Sequence, residues 1–151
     1  MASIRDVWVH ANCIIHSARQ ILNDRLRPLG LTSAEGNILL HLLTRPRSLR
    51  QEEISGELEI SKAAVSRALD SLESKGLIVR EKDESDRRAS LVCLTARARS
   101  MADSIEAIYN DLFAIAAQGI EPQDIEAAVQ FFAVIAENFA RARTRGKEGA
   151  K

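Results

Sequence analysis

The chain has 151 residues, of which 46% are hydrophobic and 28% are charged, with 21 basic and 21 acidic side chains. This composition is typical of one soluble globular domain and excludes a disordered chain. A formal net charge of zero excludes a protein that binds polyanions over its whole surface. No apolar run approaches the roughly 20 residues that span a bilayer, and no signal peptide is visible, so we expect a cytoplasmic protein without a membrane partner.

Neither a metal site nor a catalytic motif is visible in the sequence. Cys13 and Cys93 lie far apart and form no CxxC pair, and His10, His16 and His41 form no convincing cluster. The sequence also lacks G-x-S-x-G, a phosphate-binding loop and H-E-x-x-H. We therefore expect no cofactor, no metal and no enzymatic activity, with Cys13 buried and unreactive and Cys93 half-buried in a strand.

The first part of the chain is helical. Apolar residues recur at helical spacing from Ile4 and predict a long first helix that stops at Pro28 and Gly30. Thr32 and Glu35 then form a T-x-x-E capping box at the start of a second helix. The chain thus begins with two helices joined by a short turn.

Two shorter helices follow. Ser48 and Gln51 repeat the spacing of a capping box and predict the start of a third helix. Ser61 is a favourable N-cap for a fourth helix that runs to Lys75 and ends at Gly76, because glycine tolerates the left-handed turn after a helix. Two short helices joined by a tight turn are the core of a helix-turn-helix.

The pattern changes after the fourth helix. The segments GLIVREK and RASLVCLT are β-prone and partly alternating, and the polar residues 83–88 between them predict the loop of a hairpin. Thr95 caps a fifth helix that extends to Gly119, and Pro122 lies in the first turn of a sixth helix. This order of elements is that of a winged helix-turn-helix lobe flanked by longer helices.

The fourth helix has the composition of a helix that enters a DNA groove. One apolar stripe can pack inward, and the opposite side carries small and basic residues: Ser61, Lys62, Ala63, Ser66 and Arg67. Short side chains let the backbone approach DNA while Lys and Arg reach phosphates or guanine edges. A merely solvated outer face stays open as the alternative for this helix by itself.

Three stretches, GLTSAEGNILLHL, ISKAAVSRALDSLESKGLIVR and DRRASLVCLT, together resemble the MarR family of multiple-antibiotic-resistance regulators. The last stretch matches the family's D-x-R motif and its L-T pair at Asp86, Arg88, Leu94 and Thr95. The resemblance implies a mainly α fold with a small β-hairpin wing, in which a winged helix-turn-helix lobe joins long N- and C-terminal dimerisation helices. It divides a single domain, residues 1–151, into dimerisation helices at 1–30 and 96–143, a DNA-binding lobe at 31–95 and a flexible tail at 144–151.

The resemblance also implies which residues bind double-stranded DNA. The fourth helix would enter the major groove with the five outward residues named above, and Arg88 would reach the minor groove or its backbone. Asp86 would orient the Arg88 guanidinium through hydrogen bonds, and Arg87 would add a phosphate contact. A homodimer of this kind binds a short palindromic operator, and we expect it to act as a repressor.

Members of the family commonly respond to small ligands, so the resemblance implies a phenolic or anionic effector. The candidate ligand-binding residues lie on the first two helices: Trp8, Asn12, His16, Arg19 and His41. Packing and solvation are the ordinary roles of such residues and stay open. A different class of function also stays open, namely a winged-helix module that binds another protein and not DNA, which the zero net charge and the acidic residues beside the wing favour.

Overall fold

The computed structural model describes residues 1–148 as a mainly helical chain with one small antiparallel sheet. In chain order the elements are α1 (Ile4–Leu26), a 3-10 helix (Arg27–Leu29), α2 (Ser33–Leu43), β1 (Leu49–Arg50), α3 (Gln51–Leu58), α4 (Lys62–Ser74), β2 (Ile78–Asp83), β3 (Asp86–Leu94), α5 (Ala96–Ser100), α6 (Ala102–Ala116) and α7 (Pro122–Glu148). They fall into two compact units, one up to Phe113 and one from Ala114 onward. This architecture confirms the predicted fold class. Across the described residues, no helix combines the length and apolarity that crossing a membrane requires.

Three predicted helix starts are confirmed by side-chain caps. At α2, Glu35 N donates to Thr32 Oγ1 at 3.2 Å and Thr32 N donates to Glu35 Oε2 at 3.0 Å, which completes the capping box. Ser61 at α4 and Thr95 at α5 each accept the backbone amide three residues later, both at 3.2 Å. The predicted stop of α4 is also confirmed, because Gly76 has φ of 72°.

The start of α3 differs from the prediction. Its N-cap is Arg50, whose backbone amide donates to Glu53 Oε2 at 2.7 Å. The predicted capping box of Ser48 and Gln51 was therefore wrong. Ser48 lies beside the sheet instead, with its Oγ 3.2 Å from Cys93 Sγ. The physical reason is that β1 pairs with β3, so the helix begins only after this strand ends.

The wing is a three-stranded sheet in the order β1-β3-β2, one strand more than the predicted hairpin. β1 contributes two residues only, which lie opposite Val92 and Leu91 of β3. β2 ends at Asp83 and β3 begins at Asp86, so the predicted loop at 83–88 was too long. Pairing between the strands extends into the polar segment because backbone hydrogen bonds, rather than side-chain polarity, set the ends of a hairpin.

The predicted fifth helix is divided into α5 and α6 at Met101, and α6 ends before Gly119. Ser100 Oγ donates to the Arg97 carbonyl at 2.6 Å, just before this break. A serine hydroxyl that bonds to the preceding turn competes with the backbone ladder. The apolar spacing continues across Met101, so it could not reveal the break.

The last helix, α7, is longer than predicted. It continues through Glu148, so residues 144–148 are helical, whereas the sequence predicted a flexible tail from residue 144. Arg141 pairs with Glu137 one turn earlier, and Thr144 Oγ1 donates to the Ala140 carbonyl at 3.1 Å. Such pairs support an exposed helix. Residues 149–151 of the predicted tail lie outside the described residues.

One hydrophobic core holds the first unit together. It draws fully buried side chains from five helices and all three strands: Leu26, Ile38, Leu39, Leu49, Ile54, Val65, Leu69, Leu72, Ile78, Val92 and Ile105. Each such side chain contributes about 1.5–3 kcal/mol when it leaves water. The helix α4 and the wing therefore share a core and are fixed relative to each other.

A buried carboxylate joins α2 to α4. Glu35 is 3% exposed, and it accepts hydrogen bonds from Ser71 Oγ and from Lys75 Nζ, the latter at 2.8 Å. Burial raises the pKa of Glu35, but the hydrogen bonds from Lys75, Ser71 and the Thr32 amide outweigh it and hold the pKa below 4.5. Glu35 therefore stays charged and links the start of α2 to the end of α4.

Gly36 is required where α1 and α6 pack on α2. A Cβ at Gly36 would lie 2.5 Å from Leu26 Cδ1 and 3.1 Å from Tyr109 Oη, and Leu26 is fully buried. We expect Gly36→Ala to lower the free energy of unfolding by about 1–3 kcal/mol through overpacking. Chemical denaturation monitored by circular dichroism measures the difference.

Gly56 provides the matched control. It is exposed in α3, and an added Cβ there meets nothing within 4 Å. We expect Gly56→Ala to stabilise the chain by about 0.5–1 kcal/mol, because alanine is the better helix former. Equal effects of the two substitutions would contradict the packing described for Gly36.

Candidate nucleic-acid interface

The outward face of α4 is set by its inward stripe. Val65, Leu69 and Leu72 are fully buried, and the N-terminal half of the helix turns its other side to solvent. Of the five predicted reading residues, four are exposed and one is half-buried: Ser61, Lys62, Ala63 and Arg67 are exposed and Ser66 is half-buried. This face combines small side chains, two cations and the free amides of the helix start.

The wing presents two cations at the beginning of β3. Arg87 and Arg88 are both exposed and follow the two-residue turn of the hairpin. Asp86 Oδ1 accepts a hydrogen bond from the backbone N of Arg88 at 3.0 Å, and no contact with the guanidinium is seen in residues 1–148. Asp86 therefore shapes the backbone at Arg88, whereas the resemblance implied that it would hold the Arg88 side chain.

A groove with a volume of about 340 Å³ is lined by residues of the wing and of the starts of α3 and α4. We call it the wing groove, and it is lined by Arg50, Gln51, Glu52, Lys62, Asp86, Arg88, Ala89 and Ser90. Lys62 and Arg88 thus share one groove although they lie on different elements. Lys62 Nζ is 3.8 Å from Glu52 Oε1, and both side chains are largely exposed, so this ion pair is weak.

Arg50 ties the wing turn to the start of α3. Its Nε donates to Asp83 Oδ2 at 2.6 Å, and its Nη2 donates to Ser85 Oγ at 3.1 Å. Asp83 is 8% exposed, and its other oxygen accepts from Ser85 N at 3.0 Å and from Ser85 Oγ at 2.7 Å. The hydrogen bonds from Ser85, helped by Arg50 and opposed by burial, hold the pKa of Asp83 below 3.8.

Two further arginines fix the other end of the wing and α4. Arg80 of β2 bonds to Asp70 at 2.9 Å and to Glu73 at 3.2 Å, so the first long strand is held against α4. Arg97 of α5 donates to the Lys75 carbonyl at 2.9 Å. A cation at this position complements the negative end of the α4 dipole.

Glu53 completes the support of α3. Its carboxylate accepts two hydrogen bonds from the Arg47 guanidinium, at 2.7 and 3.2 Å, as well as the Arg50 amide. The Arg47 side chain, and then the Arg50 amide, lower the pKa of Glu53 from 4.5 to about 2. Glu53 is therefore ionised at every ordinary pH and holds the loop before β1 on the helix start.

The five candidate ligand-binding residues divide between two places. Trp8, Asn12, His16 and Arg19 lie along α1 and are exposed, and Asn12 Nδ2 donates to the Trp8 carbonyl at 2.9 Å. His41 lies on α2, where its Nε2 is 2.7 Å from Glu57 Oε2 of α3. His41 is thus engaged within the winged lobe.

The cysteines also differ from each other. Cys13 is exposed on α1 in the single chain, so the expectation that it is buried is not met there. Cys93 is half-buried in β3, as predicted.

Arg50 and Asp83, which are 33 positions apart, were not predicted from the sequence as part of this site. One local signal existed, because a basic residue at a helix start opposes the helix dipole and indicates a partner elsewhere. The partner itself could not be found without the register of the sheet.

Comparison with known proteins agrees with this arrangement. Residues 29–89, which include α2, α3, α4 and most of the wing, match the model of the MarR family. This part of the chain is similar to the MarR family.

Solved structures of other proteins are similar along nearly the whole chain. Staphylococcus aureus MepR, in a complex with DNA, has a TM-score of 0.81 at 20% identity, covering 91% of this chain and 99% of that chain. The transcriptional regulator PA3341 has a TM-score of 0.78 at 29% identity, covering 92% and 99%. CouR from Rhodococcus jostii RHA1, bound to p-coumaroyl-CoA, has a TM-score of 0.77 at 22% identity, covering 87% and 92%. These similarities establish the MarR-type winged helix fold.

The lowered pKa of Glu53 predicts a dependence of stability on acid. A carboxylate whose pKa is lowered by folding stabilises the fold fully above 4.5, and this contribution disappears as the pH falls towards about 2. We expect Glu53→Gln to lower the free energy of unfolding at pH 7 by about 1 kcal/mol, allowing for solvent screening. Urea denaturation between pH 7 and pH 2 should show the difference shrinking only below pH 4.5.

Glu106→Gln is the control for this titration. Glu106 is exposed on α6 and has no ion pair within the described residues, so the free energy of unfolding of Glu106→Gln should differ little from that of the wild type at any pH in this range. A Glu53→Gln effect that is independent of pH would contradict the role given to its charge.

Proposed function

We propose that this chain is a MarR-family transcriptional regulator that binds double-stranded DNA in a sequence-specific manner. It acts as a homodimer on a short palindromic operator, functions as a repressor in the cytoplasm and carries out no catalysis. The observation that carries the proposal is the wing groove, in which Lys62 of α4 and Arg88 of the wing face one space. A DNA backbone in this groove would meet a cation from each side.

The chemistry of α4 supports DNA as the ligand. The free amides at its start and the positive end of its dipole favour a phosphate, and Lys62 adds a charge there. Ala63 and Ser66 are small enough to let the helix enter a major groove, where Arg67 is long enough to reach a base edge. The MepR structure adds support, because a relative with a similar fold was solved with DNA.

A dimer is supported by apolar surface that each unit leaves exposed. In α1, five large apolar side chains are between 51% and 65% exposed: Ile4, Trp8, Val9, Ile14 and Ile15. In α7, Ile125, Val129 and Phe132 recur at helical spacing and are between 44% and 63% exposed. Monomeric proteins rarely expose so many large apolar side chains along a helix, so we assign these helices to the dimer interface.

The proposed function also includes regulation by a small-molecule effector. A small phenolic or anionic ligand would bind near Trp8, Asn12, His16 and Arg19 and release the operator. Support comes from CouR, which was solved with p-coumaroyl-CoA. His41 would join this site only by leaving Glu57, which is 2.7 Å away.

The proposed function is tested by selecting bound sequences from random duplex DNA. Enrichment of a palindrome, with affinity that falls as salt rises, is the expected result, because phosphate contacts release counterions. Absence of any enriched sequence and of salt-dependent retention would favour a protein-binding module instead. Repeating the selection with phenolic acids tests whether an effector releases the DNA.

The two wing arginines give a sharper prediction. Arg88 lines the wing groove and Arg87 does not. We expect Arg88→Ala to weaken binding to the selected duplex by about 1–3 kcal/mol, or about fivefold to 150-fold. Arg87→Ala removes the same charge from the neighbouring position and should cost clearly less. Equal losses in a fluorescence-anisotropy titration would contradict the wing assignment.

The dimer gives another prediction. Val129→Glu places a charge in the exposed apolar stripe of α7 and should weaken association by about 2 kcal/mol or more, since burying an unpaired charge is costly. Sedimentation equilibrium of the wild type should give twice the chain mass of 16.7 kDa, and the variant should shift towards one chain mass. Gln130→Glu adds the same charge at the next, polar position of α7. If both variants associate equally well, Val129 is not in the interface.

A further inference from the structure

Arg50 lies where the wing, α3 and the wing groove meet. We propose that Arg50 is a positioning residue for DNA binding, which holds the wing turn through Asp83 and thereby fixes Arg88 opposite Lys62. This inference rests on the proposed function, and it adds a residue that lies outside both the fourth helix and the wing motif.

The first step is the attachment of the turn. Arg50 belongs to β1 and caps α3, so its backbone is fixed by the sheet and by Glu53. From this rigid base the guanidinium reaches Asp83 at 2.6 Å and Ser85 at 3.1 Å. The Asp83 side chain is only 10% exposed, and a carboxylate with so little water needs a charged partner.

The second step leads from Asp83 to Arg88. The sheet has an irregularity between Lys82 and Asp83, and such bulges redirect a side chain. Asp83 lies opposite Asp86 in the register, and Asp86 in turn accepts the backbone amide of Arg88 at 3.0 Å. A direct strand pair connects Asp83 to Asp86, and a hydrogen bond connects Asp86 to Arg88. A displacement of Asp83 therefore displaces Arg88.

A direct phosphate contact is the competing role for Arg50. Its side chain is 38% exposed and lines the wing groove. The two roles make opposite predictions for Asp83→Asn. This substitution keeps an acceptor for Ser85 N but removes the charge that holds Arg50. A phosphate-binding Arg50 would be freed, so DNA binding would be unchanged or tighter, whereas a positioning Arg50 would lose its hold and binding would weaken.

The control is Glu84→Gln, which removes the same charge from the neighbouring position of the wing turn. Glu84 is exposed, does not line the wing groove and has no ion pair within the described residues. Its substitution should leave DNA binding unchanged or tighten it, because a negative charge is removed from the wing. A comparison of DNA binding by the two amide variants therefore distinguishes a displaced wing turn from the loss of one negative charge.

The experiment measures dissociation constants of the full chain for the duplex obtained by selection, after circular dichroism has shown that each variant is folded. We expect Asp83→Asn to weaken binding about fivefold or more, and Arg50→Gln to weaken it to a similar extent. Combined with Arg88→Ala, Asp83→Asn should add little further loss, about twofold or less, because coupled residues are not additive.

Three outcomes overturn the inference: Asp83→Asn binding as tightly as Glu84→Gln, full additivity with Arg88→Ala, or Arg50→Gln binding like the wild type. If Asp83→Asn fails to fold, Arg50→Gln and its combination with Arg88→Ala decide the same question, since Arg50 is the more exposed partner. Failure of the wild type to bind any duplex would instead reject the proposed function, so the two failures are distinguishable.

Discussion

The burial of one stripe of α4 is the constraint on which the rest of the molecule depends. Val65, Leu69 and Leu72 are fully enclosed, and a helix with one face fixed has its other face fixed as well. Lys62, Ala63 and Arg67 therefore face solvent without needing any partner to hold them there. The wing depends on the same core through Ile78 and Val92, which are also buried. The two parts of the proposed interface are thus held on one rigid base.

Ion pairs within the winged lobe explain how a chain of zero net charge can present a basic surface. Several acids of the winged lobe are used internally: Asp83 holds Arg50, and Asp70 and Glu73 hold Arg80. These arginines position strands and helices, whereas Arg87 and Arg88 have no ion pair within the described residues. The acidic residues of the wing segment therefore do not all contribute to an acidic surface, because Asp83 faces inward.

Local patterns predicted the parts of this structure that depend on local interactions. The caps at Thr32, Ser61 and Thr95 and the stop at Gly76 follow from side-chain chemistry within a few residues, and the apolar stripe of α4 follows from helical spacing. The outward residues of α4 and the exposed arginines of the wing could be predicted from the same local patterns. Their joint position in one groove required the fold.

What the sequence could not predict depends on pairing between distant segments. β1 has two residues, too few for an alternating pattern, and it displaced the predicted cap at Ser48. The break at Met101 lies within continuous apolar spacing. Asp86 was expected to hold a guanidinium, yet it bonds to a backbone amide, because the turn geometry brings the Arg88 nitrogen to it. In each case a tertiary or backbone contact outweighs the local pattern.

The most direct test of DNA binding through α4 and the wing is a titration of the labelled chain with the selected duplex, followed through backbone amide chemical shifts. DNA in the wing groove predicts the largest changes at residues 61–67 and 86–90, with α7 little affected. Changes concentrated on α1 or α7, or no changes at all, would contradict the proposed interface.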